Sequence, residues 1–497
     1  MFESAELGHT IDKERFNAEV PALREGLLDA QYDLLENKKF PVIIIIAGVD
    51  GAGKGETVNV LNEWMDARHI QTHALAAPSA DDTERPAFYR FWRHLPPRGK
   101  TGIFFTSWYT APILSRARKL ISRADLDQHM EEARRFERML ACEGALILKF
   151  WFHLSKEQQR ERLTKLEKSS KTRWRVTERD WANFALYDRF RKTSERALRE
   201  TSTAEAPWIV IEGADARYRN LTVGKAILSA VRARLDSPAL APTPPEVPTP
   251  PKLPPADEVN VLRSLDLTQQ LPKDGYNDEL EKLQRKLTLL TLDSRFKDIS
   301  VVAVFEGADA AGKGGAIRRI TSALDARLYH LHPIAAPTEE ERAQPYLWRF
   351  WRHLPRLGKL VIFDRSWYGR VLVERVEGFC SEQDWMRAYG EINDFEQQMT
   401  ESRSVVVKFW LHIDQDEQLV RFKEREQTAF KRFKLNQEDW RNREKWGSYE
   451  RAICDMVDRT STEIAPWTLV ESNNKYFARV KILKTLIDQI EKALEKK

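Results

Sequence analysis

Cysteine, long apolar runs and an excess of one charge are all scarce in this sequence. Its three cysteines, among 497 residues, lie far apart and form no CxxC pair, which argues against a disulfide scaffold or a zinc ribbon and favours a reducing, cytoplasmic compartment. The longest apolar run, residues 42–47, is far too short to span a membrane. We expect no secretory signal either, because the first residues are charged and include no apolar region. A net charge of +5, from 80 basic and 75 acidic residues, excludes a histone-like polycation and an acidic disordered chain.

An internal repeat organises the chain. The sequence GVDGAGKG at residues 48–55 recurs as GADAAGKG at residues 307–314, an offset of 259 residues, as from Asp50 to Asp309. At the same offset RFWRHLP is repeated without change, and so are Ser-Trp-Tyr, Lys-Phe-Trp and Ala-Pro-Trp. Ten of the 15 tryptophans form five pairs at this spacing. We therefore predict a tandem duplication of one whole domain.

A proline-rich segment separates the two copies. Nine of the 21 residues in 236–256 are proline, a composition that favours an extended polyproline spacer. A proline-rich ligand for a partner domain is the alternative. The predicted domains are residues 1–235 and 257–497.

Short apolar strands alternate with long polar helices in both copies, which is typical of an α/β domain with a buried parallel sheet. Ligands of such sheets bind beyond the carboxyl ends of the strands. Helical patterns open the copies at about residues 16–38 and 278–292. The predicted strands are residues 41–47, 101–105, 145–152 and 208–212 in the first copy and residues 300–305, 359–363, 404–412 and 467–471 in the second.

The glycine loop between a strand and a helix is the arrangement that binds phosphate. Its backbone amides, the start of the helix and a lysine supply positive potential. In the second copy the candidate phosphate-binding residues are Ala310, Ala311, Gly312, Lys313 and Gly314. A strand-to-helix turn with glycines for geometry alone is the alternative.

Gly314 departs from the usual loop, which has Ser or Thr there to ligate Mg²⁺. We therefore expect other oxygens to hold the metal. Asp309, inside the loop, and Asp364, at the end of an apolar strand, are the predicted ligands. A helix cap is the other interpretation of Asp364, and it is compatible with ligation.

Basic side chains converge after Asp364 and in a later helix. Arg365 follows the carboxylate, and Arg370 and Glu374 share a helix face, so they suit phosphoryl transfer or form a structural ion pair. Six of the 14 residues in 421–434 are basic, which predicts a lid that closes over phosphates. A solvated charged helix is the alternative. The lid residues expected to bind phosphate are Arg421, Arg425, Lys431 and Arg432.

The ordered motifs resemble the polyphosphate kinase 2 family. They are the GxDxxGKG loop, RFWRHLP, DRSWY at residues 364–368 with Arg370 and Glu374, KFWLHI and Ala-Pro-Trp. The resemblance covers both copies, and the fused arrangement resembles the two-domain class of the family. It implies two P-loop kinase cores related to thymidylate kinases, each with a helical lid.

The resemblance also implies a reaction. The two-domain class makes ADP from AMP with inorganic polyphosphate as the phosphoryl donor. In the family the loop cradles polyphosphate rather than ATP, two aspartates hold Mg²⁺, and lid arginines grip phosphates. Carried over, these roles fall on Asp309, Lys313, Asp364, Arg365, Arg370, Glu374, Arg421 and Arg425.

The first copy departs from this pattern. Its residues at the positions of Asp364 and Arg365 are Phe105 and Thr106, although Asp50 and Lys54 remain. The positions of Arg370, Glu374 and Arg425 hold Ala111, Ser115 and Leu166. We expect the first copy to be catalytically inactive, with either a structural role, as half of an intramolecular pseudo-dimer, or a role in binding polyphosphate for its neighbour.

Other interpretations stay open. An ATP-dependent nucleoside monophosphate kinase is the rival enzyme, and a polyphosphate-binding scaffold is the non-enzymatic alternative. Arg352, with Arg365, Arg370 and Glu374, is a candidate contact for the acceptor nucleotide. His353 is expected to be structural or to contact the acceptor, since no second histidine is expected beside it. The expected partners are polyphosphate and AMP, without nucleic acid or membrane, and further homo-oligomerisation is possible.

Overall fold

The computed structural model describes residues 1–237, 260–428 and 437–495. The predicted spacer lies outside the described residues from position 238 onward. So do Lys431 and Arg432 of the predicted lid, whose roles stay predictions.

Each copy forms a five-stranded, fully parallel sheet. In the first copy the strands follow the order β2-β3-β1-β4-β5 across the sheet, and the second copy repeats it as β7-β8-β6-β9-β10. The strands of the first copy are β1 (Val42–Gly48), β2 (Ile70–His73), β3 (Thr101–Phe104), β4 (Leu146–His153) and β5 (Trp208–Glu212). Those of the second are β6 (Ser300–Gly307), β7 (Tyr329–Pro333), β8 (Leu360–Asp364), β9 (Ser404–His412) and β10 (Trp467–Glu471). The predicted α/β fold with a parallel sheet is confirmed.

Sequence analysis missed one edge strand in each copy. Among the described residues, β2 pairs with β3 alone and β7 with β8 alone, so each is hydrogen-bonded on one side. Their sequences, IQTH and YHLHP, are polar and mostly not buried. Without an apolar run or a clean alternation, such a strand gives little periodic signal.

Helices flank both sheets. The long helix α1 begins after Asp12, whose side chain accepts a hydrogen bond from the Arg15 amide. The helices of the first copy are α1 (Lys13–Asn37), α2 (Lys54–Trp64), α3 (Ala80–Thr83), α4 (Tyr89–Trp92), α5 (Thr110–Ala117), α6 (Arg123–Cys142), α7 (Lys156–Lys168), α8 (Glu178–Phe184), α9 (Tyr187–Thr201) and α10 (Ala216–Asp236). Those of the second are α11 (Lys273–Leu292), α12 (Lys313–Thr321), α13 (Glu339–Arg342), α14 (Trp348–Trp351), α15 (Val373–Glu377), α16 (Glu382–Glu401), α17 (Gln415–Gln427), α18 (Gln437–Glu444), α19 (Trp446–Thr460) and α20 (Lys475–Glu495).

The described residues fall into two compact units that are not continuous in sequence. The first unit comprises Met1–Pro78, residues 90–237 and Thr338–Trp348. The second comprises Ser79–Tyr89 and the remaining described residues from position 260 onward. The two transferred segments occupy equivalent places in the repeat, so the exchange is reciprocal.

Hydrogen bonds hold each transferred segment in its unit. In the second unit, Arg85 Nε donates to the Leu354 carbonyl at 2.8 Å and Arg356 Nε pairs with Glu84 Oε2 at 2.6 Å. In the first, Gln344 Nε2 donates to the Leu95 carbonyl at 3.1 Å. Each unit therefore draws part of its packing from the other sequence copy.

The Ser-Trp-Tyr motif is held by a buried ion pair. In the second copy Lys408 Nζ lies 2.7 Å from Glu396 Oε2, and Tyr368 and Trp367 both donate to Glu396 Oε1. Lys149 and Glu137 form the same pair at 2.7 Å in the first copy. Since both copies keep this network, the repeated tryptophan and tyrosine serve the fold.

Within the described residues, no helix combines the length and the apolar character needed to cross a membrane.

Candidate active site

The glycine loop of the second copy links β6 to α12. Gly307 approaches β9 so closely that a Cβ there would lie 2.5 Å from the Leu411 carbonyl oxygen. Gly312 has a φ of +107°, and a Cβ on Gly312 or Gly314 would meet no atom within 4 Å. The loop is therefore tightly turned and has open space on the side of Gly312 and Gly314, as a phosphate cradle requires.

Lys313 is the first residue of α12 and folds back over the loop. Its Nζ donates to the Gly307 carbonyl oxygen at 2.7 Å. The lysine charge thus lies next to the free amides at the start of the helix, where the helix dipole also favours an anion. The structure brings the predicted loop residues together as one positive site.

Asp309 lies where three parts of the second copy meet. Its Oδ1 is 3.3 Å from Arg365 Nη2, and its Oδ2 accepts a hydrogen bond from Asn442 Nδ2 at 2.9 Å. The Gln418 side chain donates to the Asp309 carbonyl oxygen at 3.1 Å. The loop, the turn after β8 and the lid helices α17 and α18 therefore converge on this aspartate.

Asp364 and Arg365 end the neighbouring strand. In the parallel pairing of β6 with β8, Asp364 is in register with Phe305, so its carboxylate projects at the edge where the loop begins. Arg365 has a φ of +65°, a left-handed conformation that costs a non-glycine residue roughly 1–3 kcal/mol. Partial desolvation lowers the pKa of Arg365, but the charges of Asp309, Glu306 and Asp364 outweigh it and raise that pKa overall.

The two aspartates fit a magnesium ion better than a softer metal. In the part of the chain that the structure describes, no three His, Cys, Asp or Glu side chains cluster as a metal site. Mg²⁺ is satisfied by one or two carboxylates, with water and phosphate oxygens completing its octahedron. Asp309, in the loop after β6, and Asp364, at the end of β8, are of that chemical type, and their joint binding of a metal stays a prediction.

Arg370 and Glu374 form the ion pair that the sequence left as an alternative. Arg370 Nε lies 2.7 Å from Glu374 Oε2, and the arginine side chain is only 12% exposed. Arg370 ends a short 3-10 helix (Trp367–Arg370) and Glu374 lies in α15, both in the chain that follows Asp364. Its contact with an acceptor stays a prediction.

The two described lid arginines differ in their surroundings. Arg421 donates to the Ala310 carbonyl oxygen at 3.0 Å and to the Ser472 carbonyl oxygen at 2.7 Å, so it braces the loop. Arg425 lies one turn on. Desolvation lowers its pKa, against the opposing attraction of Asp439 and Asp309. The charge of Asp309 therefore acts on Arg425, whose contact with a phosphate stays a prediction.

His353 is not isolated. Its ring stacks on His332 with the ring centroids 4.0 Å apart, so the expectation that no second histidine lies nearby was wrong. Burial, then the charges of His332, Arg352 and Arg349, lowers the pKa of His353 to about 4. Arg352 is exposed next to it, after α14; its contact with the acceptor stays a prediction.

Sequence analysis missed two polar residues at the site. Glu306, at the end of β6, is 6% exposed and accepts a hydrogen bond from Ser366. Asn442 binds Asp309, and its repeat partner Asn183 binds Asp50 in the same way, also at 2.9 Å. The signal for Asn442 was its recurrence at the repeat offset, and the signal for Glu306 was a carboxylate within an otherwise apolar strand.

Comparison with known proteins matches two stretches of the chain, residues 10–238 and 270–497, to the family described as Polyphosphate kinase 2. The chain belongs to the polyphosphate kinase 2 family. It is 58% identical over 496 residues to a polyphosphate:AMP phosphotransferase of Pseudomonas aeruginosa, with 100% of both chains covered. It is 38% identical over 470 residues to a protein of that name from Acinetobacter johnsonii, covering 93% of this chain and 94% of the relative.

A solved structure agrees with the whole fold. The crystal structure of a polyphosphate kinase 2 family protein from Pseudomonas aeruginosa matches with a TM-score of 0.90 and 56% identity, and 100% of each chain is covered. The prediction of two tandem domains of the polyphosphate kinase 2 type is therefore confirmed.

Proposed function

We propose that this polyphosphate kinase 2 protein transfers the terminal phosphoryl group of inorganic polyphosphate to AMP and forms ADP. The observation that carries the proposal is the convergence of Lys313, Asp309 and Arg365 around one loop. This loop lies beside the carboxyl end of β8, where Asp364 is the last residue. The names of full-length relatives, polyphosphate:AMP phosphotransferases, support this choice of donor and acceptor.

In the proposed reaction the loop amides and Lys313 hold phosphates of the donor. An oxygen of the AMP phosphate forms a bond to the terminal phosphorus, and the bond from that phosphorus to its bridging oxygen breaks. The bonding electrons leave with the shortened polyphosphate. Arg365 and Arg425 supply positive charge where it offsets the charge on the transferring group.

A magnesium ion is the proposed cofactor, held by Asp309 and Asp364. Such an ion would neutralise negative charge on the phosphate oxygens. The negative charge of these carboxylates needs a positive partner, either the magnesium ion or a basic side chain. In the described structure Arg365 is that partner for Asp309.

The rival ATP-dependent kinase is disfavoured by Gly314, which has no hydroxyl to hold a metal in the manner of ATP-binding loops. The deciding experiment pairs each donor with AMP at equal concentrations of phosphoryl groups and follows ADP by chromatography. Polyphosphate should yield ADP promptly, and ATP should yield little. Equal or faster transfer from ATP would overturn the proposed donor.

A polyphosphate-binding scaffold would also use basic lids and glycine loops. It would have no need for two carboxylates at the phosphate site, since these repel a polyanion. The presence of Asp309 and Asp364 therefore favours an enzyme over a scaffold.

We further propose that residues 257–497 form the catalytic domain, that residues 1–235 form an inactive one, and that residues 236–256 are a spacer. The strongest support is that Phe105 and Thr106 replace the carboxylate and arginine of the second copy. A phenylalanine has no oxygen to offer a cation, so the first copy lacks one of the two proposed ligands.

The loop of the first copy is also occupied by its own side chains. Glu56 stands where the second copy has Gly315, and Arg219 where it has Ala478. Glu56 pairs with Arg162 at 2.8 Å and with the buried Arg219 at 3.0 Å. A carboxylate thus binds Arg162, the counterpart of Arg421, beside the loop of the first copy.

This network favours the structural role of the first copy over polyphosphate binding. Because Arg219 packs against Gly53 of the loop, the space above the loop differs from that at Gly312. Drawing Glu56 away to admit a phosphate would leave the buried Arg219 without its carboxylate partner, which is unfavourable.

We place the protein in the cytoplasm, where AMP is available and where its few cysteines stay reduced. Polyphosphate, like a nucleic-acid backbone, is a linear polyanion, so its binding should weaken steeply with salt.

A further inference from the structure

Glu306 is a carboxylate buried directly before the phosphate loop. It lies on β6, in register with Trp410 of β9, and only 6% of it is exposed. The Ser366 hydroxyl donates to Glu306 Oε1 at 2.8 Å. The carboxylate therefore links the strand that leads into the loop to the turn that carries Asp364 and Arg365.

Burying a carboxylate is expensive for stability unless it is paired and hydrogen-bonded. Burial raises the pKa of Glu306, and the positive charges of Lys313 and Arg365 and hydrogen bonds from both the side chain and the backbone of Ser366 oppose the rise. Two cations of the candidate site therefore face this carboxylate.

The first copy provides an internal comparison. It keeps the buried Lys149–Glu137 ion pair, so this pair is a feature of the fold that both copies share. At the position of Glu306 it has Ala47, although Ser107 retains the position of Ser366. The carboxylate is thus dispensable for folding this sheet and is lost together with Asp364 and Arg365.

The backbone of the turn after β8 also differs from that of the equivalent turn after β3 in the first copy. Among the described non-glycine residues with positive φ, Arg365 has no counterpart at Thr106. The Arg365 amide donates to the Phe305 carbonyl oxygen at 3.0 Å, whereas the Thr106 amide faces the His73 carbonyl oxygen at 3.4 Å. A strained conformation persists only where its surroundings hold it in place.

We propose that Glu306 is a positioning residue for phosphoryl transfer, which holds the turn of Asp364 and Arg365 against the phosphate loop through the hydroxyl of Ser366. The proposal rests on the proposed transfer from polyphosphate to AMP. It assigns to Glu306 no contact with either substrate.

The test is a double-mutant cycle on the full chain with Glu306→Ala and Ser366→Ala, assayed with polyphosphate and AMP. Because misplacing a catalytic group by about 1 Å costs on the order of 100-fold, each single variant should lower kcat by about that factor and change the KM for AMP little. The double variant should be hardly slower than either single one, since both remove the same link.

Two further variants make the result specific. Glu306→Gln keeps an oxygen that accepts from Ser366 and should recover roughly tenfold or more of the activity lost in Glu306→Ala. Ser107→Ala removes the equivalent buried hydroxyl of the first copy, which has no carboxylate partner, and should leave kcat unchanged. Thermal unfolding should show a Tm for Glu306→Ala no lower than that of the wild type.

Additive effects in the cycle, or a kcat for Glu306→Ala close to that of the wild type, would overturn the proposal. If Glu306→Ala does not fold, Ser366→Ala alone carries the test because it removes the donor of the link, and a kcat for Ser366→Ala close to that of the wild type would overturn the proposal. The wild-type rate in the same assay tests the proposed function separately: no ADP from the wild type refutes that function, whatever the variants do.

Discussion

At the carboxyl end of β8, Asp364 stands where the first copy has Phe105, on sheets of the same topology. The strand needs only an apolar run, which both copies supply. A carboxylate at its end adds nothing to the sheet and is available for chemistry. The exchange of Phe105 for Asp364 is therefore one of the differences that separate the first copy from the candidate active site of the second.

Replacing Asp364 by Asn tests this residue. The substitution keeps the size of the side chain but removes the charge that would hold the metal, so kcat should fall at least about 100-fold. Binding of polyphosphate, measured by titration calorimetry, should be mostly retained because the loop is intact. Asp325→Asn, at an exposed aspartate paired with Arg327, is the control and should be fully active. Unchanged turnover of Asp364→Asn would refute the metal assignment.

Single residues were also where sequence reasoning was incomplete. Asp309, Lys313 and Asp364 could be predicted, because loop chemistry and strand ends are local patterns. Glu306 could not be ranked above any other charged strand residue until its contact with Ser366 was known. The partnership of His332 with His353 likewise depends on two elements meeting in space.

At the scale of elements, helix α17 carries two arginines with separate tasks. Arg421 is engaged by carbonyl oxygens of the loop and of the chain after β10, so it holds the helix in place. Desolvation and the charges of Asp439 and Asp309 act on Arg425, which we propose as the arginine that contacts polyphosphate.

Replacing Arg425 by Leu, the residue of the first copy at Leu166, should raise the KM for polyphosphate about tenfold. It should also make the dependence of binding on salt shallower by about one unit of slope, since one phosphate contact is lost. The measurement is the KM at several salt concentrations. Lys423→Leu removes a charge from an exposed position of the same helix and should change both quantities less. An equal effect of the two variants would argue for a diffuse electrostatic role of the helix.

At the scale of the whole molecule, two copies share one fold and differ in chemistry. Lys54 and Lys313 make the same hydrogen bond to the first carbonyl of their loops, at 2.6 Å and 2.7 Å. The copy that contains Lys313 has Asp364 and Arg365 at the end of the neighbouring strand, where the copy that contains Lys54 has Phe105 and Thr106. Conversely, Glu56 follows Lys54 in the first turn of its helix, where the other copy has a glycine.

Substituting each of these two lysines tests whether catalysis belongs to the second copy alone. Lys313→Ala in the full chain should lower turnover at least about 100-fold, because the loop loses the charge that offsets its phosphates. Lys54→Ala should leave turnover within about twofold, and the chain should bind polyphosphate at one site. A second binding site abolished by Lys54→Ala would instead establish that the first copy binds polyphosphate.

The sequence by itself determined the duplication, the α/β class and the phosphate loop. Each of these rests on a local regularity, such as a repeat offset, an apolar strand or a run of glycines. Such regularities can be read from the order of residues without knowing which residues are close in space. The edge strands β2 and β7 were missed because their sequences are polar and they pair on one side only.

Only the tertiary structure decided which residues act together. It placed Asn442 and Arg365 on Asp309 and paired Glu306 with Ser366. It also paired Glu56 with Arg162 in the first copy, and it placed Ser79–Tyr89 and Thr338–Trp348 each in the unit of the other copy. These relations join residues that are distant in the chain. Their energies depend on separation and burial, which folding sets and a linear sequence does not state.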